Sequence, residues 1–154
     1  MVDSLLSARG LNKQFRSGDE PVPVLTDFSL QLGAGESLAL TGRSGSGKST
    51  LLNILCGLEK PDSGTVQVLG ETFDARSTEA ASKADARWGG LRRQQIGVVF
   101  QEFRLLDHLT TFENVALPLL EHGRPKDSEV QERVNKVLSL VELEDHVEKL
   151  PSEI

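Results

Sequence analysis

The sequence predicts an α/β domain with a parallel β core. Three observations carry this. Short apolar runs of the kind buried on both faces of a sheet, Ser37-Leu38-Ala39-Leu40-Thr41 and Ile96-Gly97-Val98-Val99-Phe100, alternate with segments of helical spacing. The order strand, loop, helix, strand, helix is that of helices laid on a parallel sheet. A glycine-rich stretch from Gly42 to Ser49 joins the first apolar run to a helix-forming segment.

Each element has its own signal. Ser4 to Phe15 mixes apolar and polar positions, as a half-buried strand does. Ser17-Gly18-Asp19-Glu20-Pro21 is a dense turn cluster. Val24 to Leu32 alternates, with Phe28, Leu30 and Leu32 on one face, and predicts a second strand. Gly33-Ala34-Gly35-Glu36 is a turn before the apolar run 37–41. Leu51 to Leu58 starts a helix that Gly57 and Pro61 stop. Thr65 to Leu69 alternates like a strand. Ser77 to Arg93, rich in Ala, Arg, Lys and Glu, predicts a helix broken at Gly89-Gly90. The run 96–100 is a second buried strand. Glu113 to His122 carries Val115, Leu119 and His122 at helical spacing, is interrupted by Pro118, and ends at Gly123 and Pro125. Val130, Val134, Val137, Leu138 and Val141 form the apolar stripe of a last helix, with Glu129/Arg133 and Glu132/Lys136 as supporting pairs.

Composition narrows the function. The chain has 154 residues, about one ordinary domain, with 38% hydrophobic and 26% charged residues. A net charge of -6 disfavours general nucleic-acid binding, though not a local anion site built from backbone N–H groups. The single cysteine, Cys56, excludes an intramolecular disulfide and a multi-thiolate metal site, and is expected to be a small buried apolar residue. His108, His122 and His146 lie too far apart for a close-spaced metal pair, and each is expected to be a surface or satisfied histidine. No apolar run approaches the roughly 18 residues that span a bilayer, and no signal-peptide pattern opens the chain. The expected compartment is the cytoplasm. There is no internal repeat.

Residues 42–49, Gly-Arg-Ser-Gly-Ser-Gly-Lys-Ser, match G-x-x-x-x-G-K-[ST]. Glycines there let the backbone turn successive N–H groups toward one point, making an anion nest. The loop feeds a helix N-terminus, where unsatisfied donors and the dipole favour negative charge. Lys48 is placed to reach β- and γ-phosphates and the Ser49 hydroxyl to ligate Mg²⁺. The dinucleotide pattern G-x-G-x-x-G fails, because its third glycine falls at Thr50. A kinase acting on a small acceptor lacks support, since Arg92-Arg93 is the only adjacent arginine pair.

Beyond that motif, the chain resembles the ATP-binding cassette (ABC) transporter ATPases. The resemblance rests on residues 42–64, including Gly57-Leu58 and Pro61-Asp62-Ser63-Gly64, on Val98-Val99-Phe100-Gln101, which is similar to the family's Q-loop, and on Leu109 to Val115. The stretch Ala75 to Gln95 and the phrase from Asn114 to Leu119 are most similar to the lipoprotein-releasing, macrolide-export and cell-division branch. The resemblance covers essentially the whole chain. It implies a P-loop NTPase core with an N-terminal β subdomain, incomplete at the C-terminus: residues 1–154 as the N-terminal part of one nucleotide-binding domain, with 1–101 as β subdomain plus P-loop core and 102–154 as the start of a helical subdomain. It implies that Phe15 stacks on adenine, that Gly42, Ser44, Gly45, Ser46, Gly47, Lys48, Ser49 and Thr50 hold the phosphates of ATP with Mg²⁺, and that Gln101 joins Ser49 at the metal or touches the attacking water.

The resemblance also implies what residues 1–154 do not contain. Leu150-Pro151-Ser152-Glu153-Ile154 is similar to the phrase that immediately precedes the family's Ser-Gly-Gly signature. The signature, the second Mg²⁺-binding strand, the catalytic Glu and the switch His are therefore expected to be missing. Phosphoryl transfer to water needs a group that orients or activates the water, and the carboxylate that would act on it is among the parts expected to be missing. The expected function is the ATP-binding subunit of an ABC transporter, powering a membrane-embedded permease together with a second ATPase subunit, on the inner face of the cell membrane. The alternative is a truncated nucleotide-binding remnant without ATPase turnover. Unpartnered apolar sheet elements are expected to leave an isolated copy weakly stable or aggregation-prone.

Overall fold

A computed structural model describes residues 4–120 and 126–154. The chain divides into two compact units, Met1–Gly89 and Gly90–Ile154.

In the first unit a long hairpin is followed by a short one. Strands β1 (Ser4–Ser17) and β2 (Glu20–Gly33) pair antiparallel and close at Ser17↔Glu20, where the sequence places its turn cluster. The register slips around Leu11 to Gln14, beside Asp27, whose N–H donates to Asn12 Oδ1 at 3.0 Å. Strand β3 (Ser63–Val68) pairs antiparallel with the other edge of β1, and β4 (Glu71–Asp74) with β3, giving the order β2-β1-β3-β4. Ala8↔Val66 and Leu6↔Val68 are cross-strand pairs, so these apolar side chains share one face. Helix α1 (Lys48–Leu55) buries Leu51, Ile54 and Leu55, spaced i, i+3 and i+4. Cys56, just past its end, is half-buried rather than buried, because it sits at the helix terminus instead of on that face.

Helix α2 (Ala81–Gln94) lacks the break expected at Gly89-Gly90. Glycine weakens a helix by roughly 1 kcal/mol without forbidding it, and buried Trp88 and Leu91 flank the pair. The helix starts later than Ser77 because local side chains compete for its backbone: Asp74 Oδ1 accepts from the N–H of Arg76 at 2.8 Å and Ser77 Oγ from that of Glu79 at 3.1 Å.

The second unit is built on α3 (Thr111–Leu120) and α4 (Asp127–Leu140), with short 3₁₀ turns at Glu144–His146 and Pro151–Glu153. Ala116, Val130, Val134 and Leu138 form its core, with Phe112, Val115, Leu119, Leu143 and Val147 packed against it. Thr110 and Glu113 bond reciprocally at the start of α3: the Thr110 N–H donates to Glu113 Oε2 at 2.8 Å and the Glu113 N–H to Thr110 Oγ1 at 3.2 Å. Helix α3 is described through Pro118 as far as Leu120, the proline removing one ladder bond without interrupting it there. His122 lies outside the described residues.

Two strand expectations are corrected. Neither 37–41 nor 96–100 belongs to a strand, and every pairing among the described residues is antiparallel. A strand needs a neighbour to take its N–H and C=O groups, and no described segment offers one. Leu38 is 53% exposed and Val99 fully exposed as a result. With Phe103 also exposed nearby in sequence, the stretch 96–106 presents apolar surface to solvent. Val99→Lys is expected to lower self-association of the chain at micromolar concentration, read by sedimentation velocity. Unchanged sedimentation would show that this stretch does not drive it. Among the described residues no helix is long and apolar enough to cross a membrane.

Candidate phosphate-binding site

The glycine-rich segment lies just before α1, as its pattern requires. The Ser46 N–H donates to the Arg43 carbonyl at 3.3 Å, closing a turn inside the loop. Gly47 is the N-cap residue of α1, at φ +85°. The Leu51 N–H then donates to the Gly47 carbonyl at 2.8 Å, the first bond of the helix ladder. Gly47 is required twice over. Its φ is left-handed, and an added Cβ would lie 2.8 Å from Val24 Cγ1 and 2.9 Å from the Val24 carbonyl oxygen. The loop thus passes directly over β2, a contact that nothing in the motif announces.

No side chain caps this helix, and no acidic residue lies in its first turn. The first N–H groups of an α-helix have no partner within the helix, so those of Lys48, Ser49 and Thr50 point out of the N-terminus at its positive end. The Lys48 ammonium folds back over the loop. It donates to the Gly42 carbonyl at 2.9 Å, the Arg43 carbonyl at 2.7 Å and Ser46 Oγ at 3.3 Å. A cation and a set of uncapped N–H donors therefore share one exposed loop, with Ser44, Gly45, Ser46 and Ser49 open to solvent. This donor set fits a phosphate group chemically: it supplies positive charge and N–H donors, and no carboxylate from the helix's first turn competes.

The other expected site residues are placed less closely. Phe15 stands near the end of β1, opposite Val22, and is 43% exposed. Lys13 Nζ lies 5.2 Å from the ring centroid, and its charge is shared with Glu59 Oε1 at 2.5 Å. Phe15 is thus an accessible ring and not a core residue. Gln101 is exposed, in no helix or strand, in the second unit. Its neighbour Phe100 carries the Arg104 guanidinium 4.0 Å above its ring centroid.

Among the described residues no group of three or more His, Cys, Asp or Glu side chains could hold a metal ion. His108 is exposed. His146 departs from expectation: its Nδ1 is buried without a hydrogen-bond partner among the described residues.

Comparison with known proteins bears on the whole chain. Residues 25–153 match the ABC transporter family. The chain is 40% identical over 151 residues to the macrolide export ATP-binding/permease protein MacB 1 of Yersinia pestis, covering 98% of this chain and 22% of that protein. It is 40% identical over 153 residues to MacB of Salmonella typhimurium, covering 99% and 22% respectively. Among solved structures, the dimeric bacterial ABC transporter cassette MJ0796 aligns with a TM-score of 0.85 and 32% identity, over 97% of this chain and 62% of that one. A post-hydrolysis dimer of the same cassette, bound to ADP and Pi, aligns with a TM-score of 0.84. The chain therefore spans 22% of the length of these curated relatives.

Proposed function

The chain belongs to the ABC transporter family, and from that premise we propose that it binds Mg-ATP through the loop Gly42 to Thr50 and so serves as the ATP-binding part of a transporter. The observation that carries this is the Gly47-capped helix start with the Lys48 ammonium folded onto it. In this reading the first-turn N–H groups and Lys48 hold the phosphates, and the Ser49 hydroxyl ligates Mg²⁺. Gln101 is the second group at the metal or at the attacking water, since an amide donates and accepts without charge. The exposed ring of Phe15 stacks on adenine.

The relatives include proteins named as export ATP-binding/permease proteins and a cassette that forms a dimer. By extension, this chain works with a membrane-embedded permease and a second ATPase subunit, at the inner face of the membrane. Residues 1–101 serve as β subdomain and P-loop core, and 102–154 open the helical subdomain.

Calorimetric titration of the 154-residue chain tests the reading. Mg-ATP and Mg-ADP are expected to bind, and adenosine about a hundredfold more weakly, because charge-assisted bonds to phosphate at ~1.5–3 kcal/mol each carry the affinity. Equal binding of adenosine, or no binding of Mg-ATP, would sink the phosphate-loop assignment.

A further inference from the structure

Helix α1 has only 8 residues and rises about 12 Å. A helix this short does not hold its own shape in water, so the direction of its N-terminal N–H groups depends on what grips its two ends. The N-terminal grip is Gly47 against Val24. The C-terminal grip comes from α2.

Past the end of α1, Gly57 lies at φ +67°, and a Cβ there would be 2.0 Å from Trp88 Cδ2. The indole thus rests directly on the backbone that ends the helix. The Gly57 N–H donates to the Ile54 carbonyl at 3.1 Å and the Leu58 N–H to the Asn53 carbonyl at 2.8 Å, so this turn moves with α1. The indole also stacks on Phe73, with ring centroids 3.9 Å apart and planes 18° apart. Arg87 covers Phe73 at 4.5 Å from the ring centroid. It donates to Glu79 Oε2 at 2.9 Å, to the Thr72 carbonyl at 3.1 Å and to the Glu71 carboxylate. Its hydrogen bond with Glu71 is the first cause holding its pKa above the ordinary value. Next to this stack is a cavity of about 160 Å³, lined in part by Ile54, Leu58 and Val66. The end of α1 therefore has open space beside it, and the indole is a principal restraint there.

We propose that Trp88, held in place by Arg87, is a positioning residue for the phosphate loop: it fixes the far end of α1 and thereby the aim of the N–H groups at its start. The proposal rests on the phosphate-loop reading above. It predicts that phosphate binding and the Trp88 environment are coupled through the length of α1.

Trp88 is the sole tryptophan, so tryptophan emission reports the surroundings of this one indole. The test uses the 154-residue chain, with Mg-ATP affinity by calorimetry, Trp88 emission during the same titration, and ligand-free thermal melts. In the wild type, emission is expected to change and to saturate at the calorimetric Kd. Trp88→Phe, which keeps an aromatic ring, is expected to bind within about twofold of wild type. Trp88→Ala and Arg87→Gln are expected to bind roughly tenfold more weakly, as altered coupling elements do. Arg87→Gln should also lose the emission response while keeping its melt near that of wild type. Should Trp88→Ala not fold, Arg87→Gln decides. Wild-type Kd values in Arg87→Gln and Trp88→Ala, or an emission indifferent to bound Mg-ATP, would overturn the positioning role and leave phosphate binding intact. The absence of any wild-type binding heat would overturn both.

Discussion

Replacing Lys48 by alanine is expected to weaken Mg-ATP binding by about 10- to 100-fold, the worth of one charge-assisted contact at ~1.5–3 kcal/mol. Two effects add. The ammonium is the cation held on the loop itself, bonded to the Gly42 and Arg43 carbonyls and to Ser46 Oγ. Its removal takes away a charge the phosphates would meet and three bonds that shape the loop before they arrive. The bonds are solvent-exposed, so the ligand-free melt should move little. Calorimetry with Mg-ATP on both proteins reads the difference. Equal affinity would mean that the loop is a glycine turn with an incidental lysine.

The largest effect on folding is expected from Gly64→Ala. Gly64, the second residue of β3, lies at φ +96°, pressed against β1: an added Cβ would lie 2.5 Å from the Gly10 carbonyl oxygen and 2.7 Å from that of Arg9. These are backbone atoms held in a sheet, so they cannot swing aside as a side chain would. The left-handed φ costs about 1–2 kcal/mol by itself, and the overlap adds to it. A total above ~4 kcal/mol is expected, most of what a small domain has to lose. Gly70→Ala is the control. Its φ is +83° with nothing within 4 Å of the new Cβ, so it should cost only about 1–2 kcal/mol. Denaturant unfolding of the two variants separates strain from collision. Comparable losses would show that the β1–β3 approach is looser than its geometry.

How legible all this was depends on how local each feature is. The loop-to-helix junction is legible because its physics is local: a glycine at left-handed φ and a helix-forming run suffice, and α1 starts at Lys48 with Gly47 as its N-cap. The stripe Val130, Val134 and Leu138 was readable because one helix carries the whole pattern, and these residues are its buried set. Val137 and Val141 of the same stripe are exposed, since they sit at its margin. The runs 37–41 and 96–100 were misread as strands because pairing is a property of two segments, and apolar composition describes only one. β4 was missed because Glu71–Asp74 is too short to show alternation. The grip of Trp88 on Gly57 could not be read at all. Gly57 signalled a helix stop, and nothing along the chain says which aromatic residue will lie against it. The role of Phe15 follows from resemblance alone, since neither its exposure nor its place opposite Val22 singles out adenine.

The bare runs around Leu38 and Val99 have a consequence for the life of the molecule. As long as they stand unpaired, these two stretches are open to capture by a complementary strand, a chaperone, a protease or another copy.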